Sequence, residues 1–304
     1  MKSAAPPSVP SALLTLLHER ILNWYAREAR DIPWREPGTS SWGVLVSEVM
    51  LQQTPVVRVE PAWRGWMSRW PVPAALAASS PGEAIHAWGR LGYPRRALRL
   101  HAAAVAIVVH HGGDVPDSPA ELLALPGVGT YTAAAVSAFA FGRRTTVVDT
   151  NVRRVIARVV SGAARAGPSL TRAEMNLATT LVPAGAHQAR TWNVALMELG
   201  AVVCLARSPR CAACPVRDLC AWQRESRPAY DGPVRRSQPW QGTDRQCRGA
   251  ILAVLRAAKE PVTADDVDSA WPTDDPQRDR ALGSLIADGL VEPLAGGRFR
   301  LPGR

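Results

Sequence analysis

The segment from Leu125 to Asp149, LPGVGTYTAAAVSAFAFGRRTTVVD, decides how the rest of this chain is interpreted. Its first part, Leu125–Gly129, places two glycines around one apolar residue, which predicts a tight turn between two helices. The small residues from Thr130 to Phe141 predict a helix directly after that turn. Backbone N–H groups of such a turn and of the following helix can hold a phosphate group. The segment by itself also allows a turn that binds nothing.

The composition favours a globular protein with an anionic partner. The chain has 304 residues, of which 47% are hydrophobic, so it can bury one large or two ordinary cores. Its formal net charge is +10 and its pI is about 10.2. A basic surface of this size indicates a polyanion, with nucleic acid favoured over a membrane, although a general basic bias would give the same charge.

The N-terminal residues do not look like a targeting signal. Met1–Pro10 is rich in Pro, Ser and Ala and lacks the apolar core of a signal peptide. No uncharged stretch reaches the length of a membrane span. We therefore expect a soluble, cytoplasmic protein that does not bind membranes.

The chain divides into four predicted segments. Residues 1–10 are expected to be a disordered tail, and residues 11–222 are almost entirely helical. The polar, Pro- and Gly-rich residues 223–245 are a predicted linker. Residues 246–304 predict three short helices and two strands, an order typical of a winged-helix-like module. Such a module could contact DNA or pack on the preceding domain, and a fold does not decide between them.

Four of the five cysteines are grouped close together. Cys204, Cys211, Cys214 and Cys220 are separated by six, two and five residues. Four thiolates this close suit zinc or a 4Fe–4S cluster. The fifth, Cys247, lies beyond the predicted linker and is expected to be a structural or free thiol.

Glu48 is the unusual residue of a helix predicted to begin at Ser41 and end at Thr54. It is surrounded by apolar residues such as Val44 and Val49. A carboxyl group among apolar neighbours is desolvated, which suits a general acid. The helical wheel also allows a solvated position. At the end of this helix, the sequence Gln52-Gln53-Thr54 can read base edges or form a polar cap.

Aromatic and apolar periodicities predict further core and surface positions. Trp63, Trp66 and Trp70 share one helical face and are expected in the core. Tyr93, in a loop between arginines, is either a stacking wedge or a buried tyrosine. An apolar stripe with Val152 and Val155 is predicted after Asp149, with the neighbouring arginines largely off it.

Several motifs together resemble one family. LPGVGTYTA and VVDTNVRRV resemble the helix-hairpin-helix and aspartate segments of the endonuclease III-like DNA glycosylases, and the cysteine spacing resembles their 4Fe–4S loop. SEVMLQQT, LGYPRRALRLH and MELGAVVC resemble the adenine DNA glycosylases of the MutY type. The resemblance covers about residues 12–222. It implies an all-α fold with two lobes: a six-helix barrel at about 35–145, and a cluster lobe formed by 11–34 and 146–222.

The resemblance also implies a reaction. Bifunctional endonuclease III enzymes have a lysine two residues after the last glycine of the hairpin, where this chain has Tyr131. Without that amine no Schiff base forms, so a monofunctional glycosylase is expected. The expected substrate is adenine mispaired with 8-oxoguanine or guanine, flipped out of the duplex before its glycosidic bond is hydrolysed. Glu48 would protonate the leaving adenine, and Asp149 would stabilise the oxocarbenium character of the sugar.

The remaining roles are likewise implied by the resemblance. The adenine pocket is expected to be lined by Arg30, Ile32, Trp34 and Glu198. Tyr131 and Asn151 would support the carboxylates, Gln53 and Thr54 would meet the opposing 8-oxoguanine, and Tyr93 would wedge into the duplex. The DNA backbone would bind at Gly127, Val128 and Gly129. A 4Fe–4S cluster would be held by Cys204, Cys211, Cys214 and Cys220. The enzyme is expected to act as a monomer associated with the nucleoid.

Two departures from the family pattern affect these expectations. The usual Asp-Gly-Asn is Asp149-Thr150-Asn151 here, which keeps the carboxylate. Residues 246–304 do not resemble the Nudix-like domain that reads 8-oxoguanine in the family, so discrimination is expected to be weaker or to rest on Gln53, Thr54 and Tyr93. Two alternatives stay open: a related glycosylase for mismatched thymine or oxidised pyrimidines, and a non-catalytic, cluster-bearing DNA-binding protein.

Overall fold

A computed structural model describes residues 9–230, 232 and 240–303. Most of the predicted N-terminal tail and the middle of the predicted linker lie outside these residues. In the part that is described, Val9 already packs against a hydrophobic core. No helix among the described residues is long and apolar enough to cross a membrane.

The described residues are mainly helical, as predicted. The N-terminal half contains α1 (Ser11–Glu28), α2 (Ser41–Met50), α3 (Val56–Arg69), α4 (Pro73–Ala77), α5 (Pro81–Trp88), α6 (Arg95–His111), α7 (Pro119–Ala124) and α8 (Thr130–Phe139). The remainder contains α9 (Thr150–Val159), α10 (Arg172–Thr180), α11 (Ala186–Val202), α12 (Ala221–Arg224), α13 (Asp244–Ala257), α14 (Ala264–Ala270), α15 (Asp275–Ala287), β1 (Glu292–Leu294) and β2 (Arg298–Arg300). Short 3-10 turns are present at Pro33–Arg35 and Cys211–Ala213.

These elements form two compact units. The first contains residues 9–41, 117–119, 129–230 and 232, and the second contains 42–116, 120–128 and 240–303. Helix α8 belongs to the first unit and the C-terminal helices belong to the second. The lobe boundaries inferred from the sequence stay a prediction.

The core of the first unit is built around α9 and α11. The predicted apolar stripe of α9 is buried, with Val152 and Val155 each 1% exposed. It packs with Trp192 and Leu199 of α11 and with Leu17 of α1 in one hydrophobic cluster. Burying several large apolar side chains of this kind is the main stabilising contribution to the unit.

The core of the second unit is rich in tryptophan. Trp66 makes edge contacts with Trp70 and Trp88, with ring centroids 4.6 and 5.7 Å apart. The indole N–H of Trp63 donates to the Gly43 carbonyl at 2.9 Å. Trp63, Trp66 and Trp70 are all buried, so their predicted place in the core is confirmed.

The C-terminal residues have the predicted order of three helices and a hairpin. Strands β1 and β2 pair antiparallel with Pro293 opposite Phe299, and Val262 adds one bridge to Phe299. The module packs against α5 of the same unit, since Gly82 N–H donates to the Pro302 carbonyl at 2.8 Å. The module therefore packs on the preceding helices, and its contact with DNA stays a prediction.

Helix α2 ends earlier than predicted, at Met50 instead of Thr54. Arg96 donates to the Val49 and Met50 carbonyls, each at 2.9 Å, and to that of Gln52 at 2.6 Å. These are the carbonyls that a helix leaves unsatisfied at its C-terminus. A distant arginine therefore fixes the end of the helix, which local propensity could not indicate.

Candidate active site and cluster loop

Glu48 is buried in the middle of α2. It is 4% exposed, and every residue of the helix from Trp42 to Met50 is buried as well. The alternative that Glu48 lies on a solvated stripe is therefore wrong. A carboxyl group in these surroundings is desolvated, and desolvation disfavours its charged form.

Asp149 is held at both carboxylate oxygens. Its Oδ1 accepts from the Val152 N–H at 2.7 Å, which makes Asp149 the N-cap of α9. Its Oδ2 accepts from the Asn151 side-chain amide at 2.8 Å. Burial raises the pKa of Asp149, while these hydrogen bonds and the charge of Arg154 act in the opposite direction. The carboxylate is thus fixed in position and desolvated, but supported by donors.

Arg154 connects Asp149 to the cysteine loop. It donates to the Asn151 Oδ1 at 2.7 Å and to the Gly200 and Cys204 carbonyls, each at 2.6 Å. The chain of hydrogen bonds Cys204–Arg154–Asn151–Asp149 therefore lies entirely within the first unit. Burial lowers the pKa of Arg154.

Glu198 of α11 is fully buried and paired with two arginines. Arg30 Nε donates to one carboxylate oxygen at 2.5 Å, and its Nη2 donates to the other at 2.9 Å. Arg35 forms a second ion pair at 3.0 Å. Burial alone would raise the pKa of Glu198, but the hydrogen bond from Arg30 and the nearby arginine charges lower it overall. The carboxylate therefore stays ionised in a closed environment.

The two apolar residues predicted for the base pocket lie beside this ion pair in sequence. Ile32 is 2% exposed and Trp34 is 7% exposed, with Trp34 in the turn Pro33–Arg35. The Glu198 pairs with Arg30 and Arg35 hold both ends of this loop. The structure thus brings Arg30, Ile32, Trp34 and Glu198 into one region of the first unit.

Arg96 joins the loop after α2 to the loop before α6. Besides the α2 carbonyls, its guanidinium donates to the Thr54 hydroxyl at 3.0 Å and to the Gly92 carbonyl at 2.9 Å. Burial lowers the pKa of Arg96 to about 10. Thr54 is buried, with its hydroxyl used in this network, so a direct contact of Thr54 with a base stays a prediction.

Gln53 and Tyr93, in contrast, present their side chains to solvent. Both have left-handed backbone conformations, with φ of 58° and 48°. Tyr93 is 46% exposed, so the alternative of a buried loop tyrosine is wrong. Left-handed conformations are uncommon for residues with large side chains, and they persist when surrounding contacts determine them. Arg96 donates to the carbonyl of the residue before each of them, Gln52 and Gly92, and its backbone N–H donates to the Tyr93 carbonyl.

The turn before α8 has the backbone that its glycines predict. Gly127 has φ of 79°, and a Cβ added there would lie 2.7 Å from the Arg99 Cβ, so this position requires glycine. Val128 is buried. Gly129 is the N-cap of α8, and no described side chain caps this helix. Its first N–H groups are thus suited to an anion. Tyr131, half-buried, occupies the second position of α8.

The four clustered cysteines line one cavity together with Arg158 and Trp222. None of the described cysteines forms a disulfide. Burial raises the pKa of the Cys214 thiol to about 12 and also raises that of Cys220. Thiolates in such a place need compensating positive charge, which iron ions supply. Arg158 Nη1 donates to the Cys204 sulfur at 3.3 Å, as suits the thiolate of an anionic cluster. The residues therefore fit an iron–sulfur cluster.

Four arginines important to these sites were not assigned a role from the sequence. They are Arg35, Arg96, Arg154 and Arg158. Arg158 was expected largely off the apolar stripe, yet it is 3% exposed and contacts the cysteine loop. The spacing of Arg154 and Arg158, one turn apart on α9, was the available signal.

Comparison with known proteins agrees with this geometry. Residues 46–179 match the family described as HhH-GPD superfamily base excision DNA repair protein. Residues 204–220 match the iron-sulfur binding domain of endonuclease III, which selects the cluster over the zinc alternative. The chain is 55% identical to an adenine DNA glycosylase of Mycobacterium tuberculosis over 284 residues, covering 93% of this chain and 92% of that protein. The chain belongs to the adenine DNA glycosylase family.

Mammalian adenine DNA glycosylases match a smaller part of the chain. The Homo sapiens protein is 41% identical over 218 residues, which cover 69% of this chain and 40% of the human one. Among solved structures, a thermostable thymine-DNA glycosylase is 30% identical with a TM-score of 0.63, covering 70% of this chain and 98% of that one. Endonuclease III trapped on DNA is 20% identical with a TM-score of 0.61, covering 72% of this chain and 99% of that one. The two chains therefore have the same fold. The chain thus contains the iron–sulfur binding loop of the endonuclease III type.

Proposed function

We propose that this protein excises adenine mispaired with 8-oxoguanine or guanine from duplex DNA by hydrolysing the N-glycosidic bond. The observation that carries the proposal is the burial of Glu48, an acid at 4% exposure in a helix that is otherwise apolar or small. The 55% identity to an adenine DNA glycosylase supports the choice of base. The net charge of +10 supports a DNA partner, and the protein acts as a monomer in this proposal.

Glu48 acts as the general acid. Adenine is a poor leaving group as an anion, so a proton must reach the purine ring before or during bond cleavage. A buried carboxyl group favours its neutral form and can supply that proton. The adenine is flipped out of the duplex to reach the acid. Arg30, Ile32, Trp34 and Glu198 form its pocket.

Asp149 stabilises the positive charge that develops on the sugar. Its two hydrogen bonds hold the carboxylate in one orientation, so little reorganisation is needed during the reaction. Asn151 supports it directly, and Tyr131 supports the carboxylates from the start of α8. Water completes the hydrolysis. Because Tyr131 replaces the amine nucleophile, the enzyme is monofunctional.

DNA is held by the remaining predicted residues. The turn Gly127-Val128-Gly129 and the uncapped start of α8 bind a backbone phosphate. Tyr93 enters the duplex, and Gln53 and Thr54 recognise the base opposite adenine. Cys204, Cys211, Cys214 and Cys220 hold the 4Fe–4S cluster, which when bound supplies iron–thiolate bonds that fix the loop 204–220.

Single-turnover base release from four duplexes tests this function. The target positions are A opposite 8-oxoguanine, A opposite G, T opposite G, and thymine glycol opposite A. Release of adenine from the first two, with strand cleavage only after alkali, is expected. Preferred release of thymine would instead indicate that this protein has the activity named for the similar thymine-DNA glycosylase.

A variant of the proposed acid completes the test. Glu48→Gln keeps the size of the side chain but removes its proton, so base release should be lost while duplex binding is kept. Turnover in this variant would contradict the acid role. Duplex binding without release of any base by the unsubstituted protein would favour the non-catalytic DNA-binding alternative.

A further inference from the structure

An exposed cluster of two aromatic rings and one arginine lies where the C-terminal module meets the Tyr93 loop. The Arg245 guanidinium lies 4.8 Å from the Trp240 ring centroid and 5.7 Å from that of Tyr93. Trp240 is 53% exposed and Tyr93 is 46% exposed. All three side chains therefore reach solvent at the same place.

The position of Arg245 follows from how the module packs on α6. Asp288, just after α15, forms ion pairs with Arg95 of α6 at 3.2 Å and with Arg248 of α13 at 2.6 Å. Arg95 is two residues from Tyr93, and Arg248 is three residues from Arg245. One carboxylate thus ties the Tyr93 loop to the helix that carries Arg245.

The two arginines of α15 are paired with carboxylates. In α15, Arg278 pairs with Asp268 and Asp275, each at 2.7 Å, and Arg280 lies 3.8 Å from Asp244. The positive charge of α15 is therefore largely offset. Arg245 has no described carboxylate within ion-pair distance. Its charge is therefore available to an external anion.

We propose that Arg245, stacked between Trp240 and Tyr93, is a DNA-contacting residue that binds a backbone phosphate beside the Tyr93 wedge. This inference rests on the proposed function, in which Tyr93 enters the duplex. A side chain that inserts between bases brings the flanking sugar–phosphate backbone to the edge of its ring. The Arg245 guanidinium already lies beside this ring, 5.7 Å from its centroid. The module then contributes to DNA binding through the start of α13 and not through α15.

The test measures duplex binding by fluorescence anisotropy over a range of salt concentrations, with cluster-loaded, full-length protein. All proteins carry Glu48→Gln, and the duplex has A opposite 8-oxoguanine. Arg245→Ala should weaken binding about fivefold and lower the salt dependence by about one phosphate contact. Arg245→Lys should keep the salt dependence.

Arg298→Ala is the matched control, because Arg298 is an exposed arginine of the same module on strand β2 with no described carboxylate partner. It should leave both affinity and salt dependence unchanged. An Arg245→Ala variant that binds like the reference, or an equal loss in Arg298→Ala, would overturn the inference. Base release by the protein without Glu48→Gln is measured separately. If that protein releases no base but Arg245→Ala still lowers the salt dependence of binding, the catalytic function is contradicted and the DNA contact is supported.

Discussion

The side-chain amide of Asn151 donates a hydrogen bond to the Asp149 carboxylate at 2.8 Å. The amide oxygen of Asn151 accepts from Arg154, and Arg154 also donates to the Cys204 carbonyl. The orientation of Asp149 therefore depends, through Asn151, on an arginine that binds the cysteine loop. Each link is a hydrogen bond to or from a charged group, the stronger class in proteins. The proposed catalytic carboxylate and the cysteine loop are therefore parts of one network.

Asn151→Ala should slow base release without loss of iron. Removal of a hydrogen bond to a charged group costs about 1.5–3 kcal/mol, which corresponds to a decrease of about tenfold to a hundredfold in rate. Single-turnover base release measures the effect, and iron content is the control. A variant that loses iron in parallel with its activity would show that Asn151 acts on the loop and not on Asp149.

Gly200→Ala should destabilise the first unit. A Cβ at this position would lie 2.6 Å from the Asn151 Cβ, which forces α9 and α11 apart. Overpacking of this kind costs about 1–3 kcal/mol. Thermal unfolding measures it. Gly283→Ala is the control, because that glycine also lies in a helix, α15, but has no heavy atom within 4 Å of an added Cβ. It should be neutral or stabilising by up to about 1 kcal/mol. Equal losses in both variants would contradict the contact.

Glu198→Gln should destabilise the protein at neutral pH and weaken the pH dependence of its stability in acid. The pKa of Glu198 is lowered from 4.5, so the unfolded chain binds a proton more readily than the folded one. Its contribution to stability is present above about pH 4.5 and is lost as the pH falls through the folded pKa. At neutral pH, the variant leaves Arg30 and Arg35 without a buried counter-charge, which costs about 3 kcal/mol.

Denaturant unfolding between pH 3 and 7 measures this change, with Glu60→Gln as the control. Glu60 forms an exposed pair with Arg64, and exposed pairs contribute little to stability. An acid-side slope in Glu198→Gln equal to that of the unsubstituted protein would show that another carboxylate dominates.

Cys214→Ser should yield protein with little or no iron. Cys214 lines the cavity shared by the four clustered cysteines, and a serine hydroxyl is a poor ligand for iron in such a cluster. Cys247→Ser is the control, because Cys247 is buried in α13 outside this cavity. Iron content and visible absorbance of the purified proteins distinguish the two. Normal iron content in Cys214→Ser would remove this residue from the ligand set.

Local patterns predicted the helices well, since periodicity and capping act over a few residues. The stripe of α9, the tryptophan core and the glycines of the turn before α8 are of this kind. The burial of Glu48 could be established only from the structure, because the helical wheel of α2 allowed both a buried and a solvated position for this residue. Arg96 could not be found from its neighbours in sequence. Its partners Val49 and Met50 lie more than forty residues away, and only the packed fold brings them together.

The position of Asp149 as the N-cap of α9 makes one carboxylate serve both folding and chemistry. A substitution at residue 149 therefore affects both the stability of α9 and the proposed reaction. A change to asparagine or serine keeps a capping oxygen and gives a folded protein without the charge, whereas a change to an apolar residue also removes about 1 kcal/mol of helix stability. Inactive alleles at this position should fall into two classes, distinguished by how much protein accumulates in the cell.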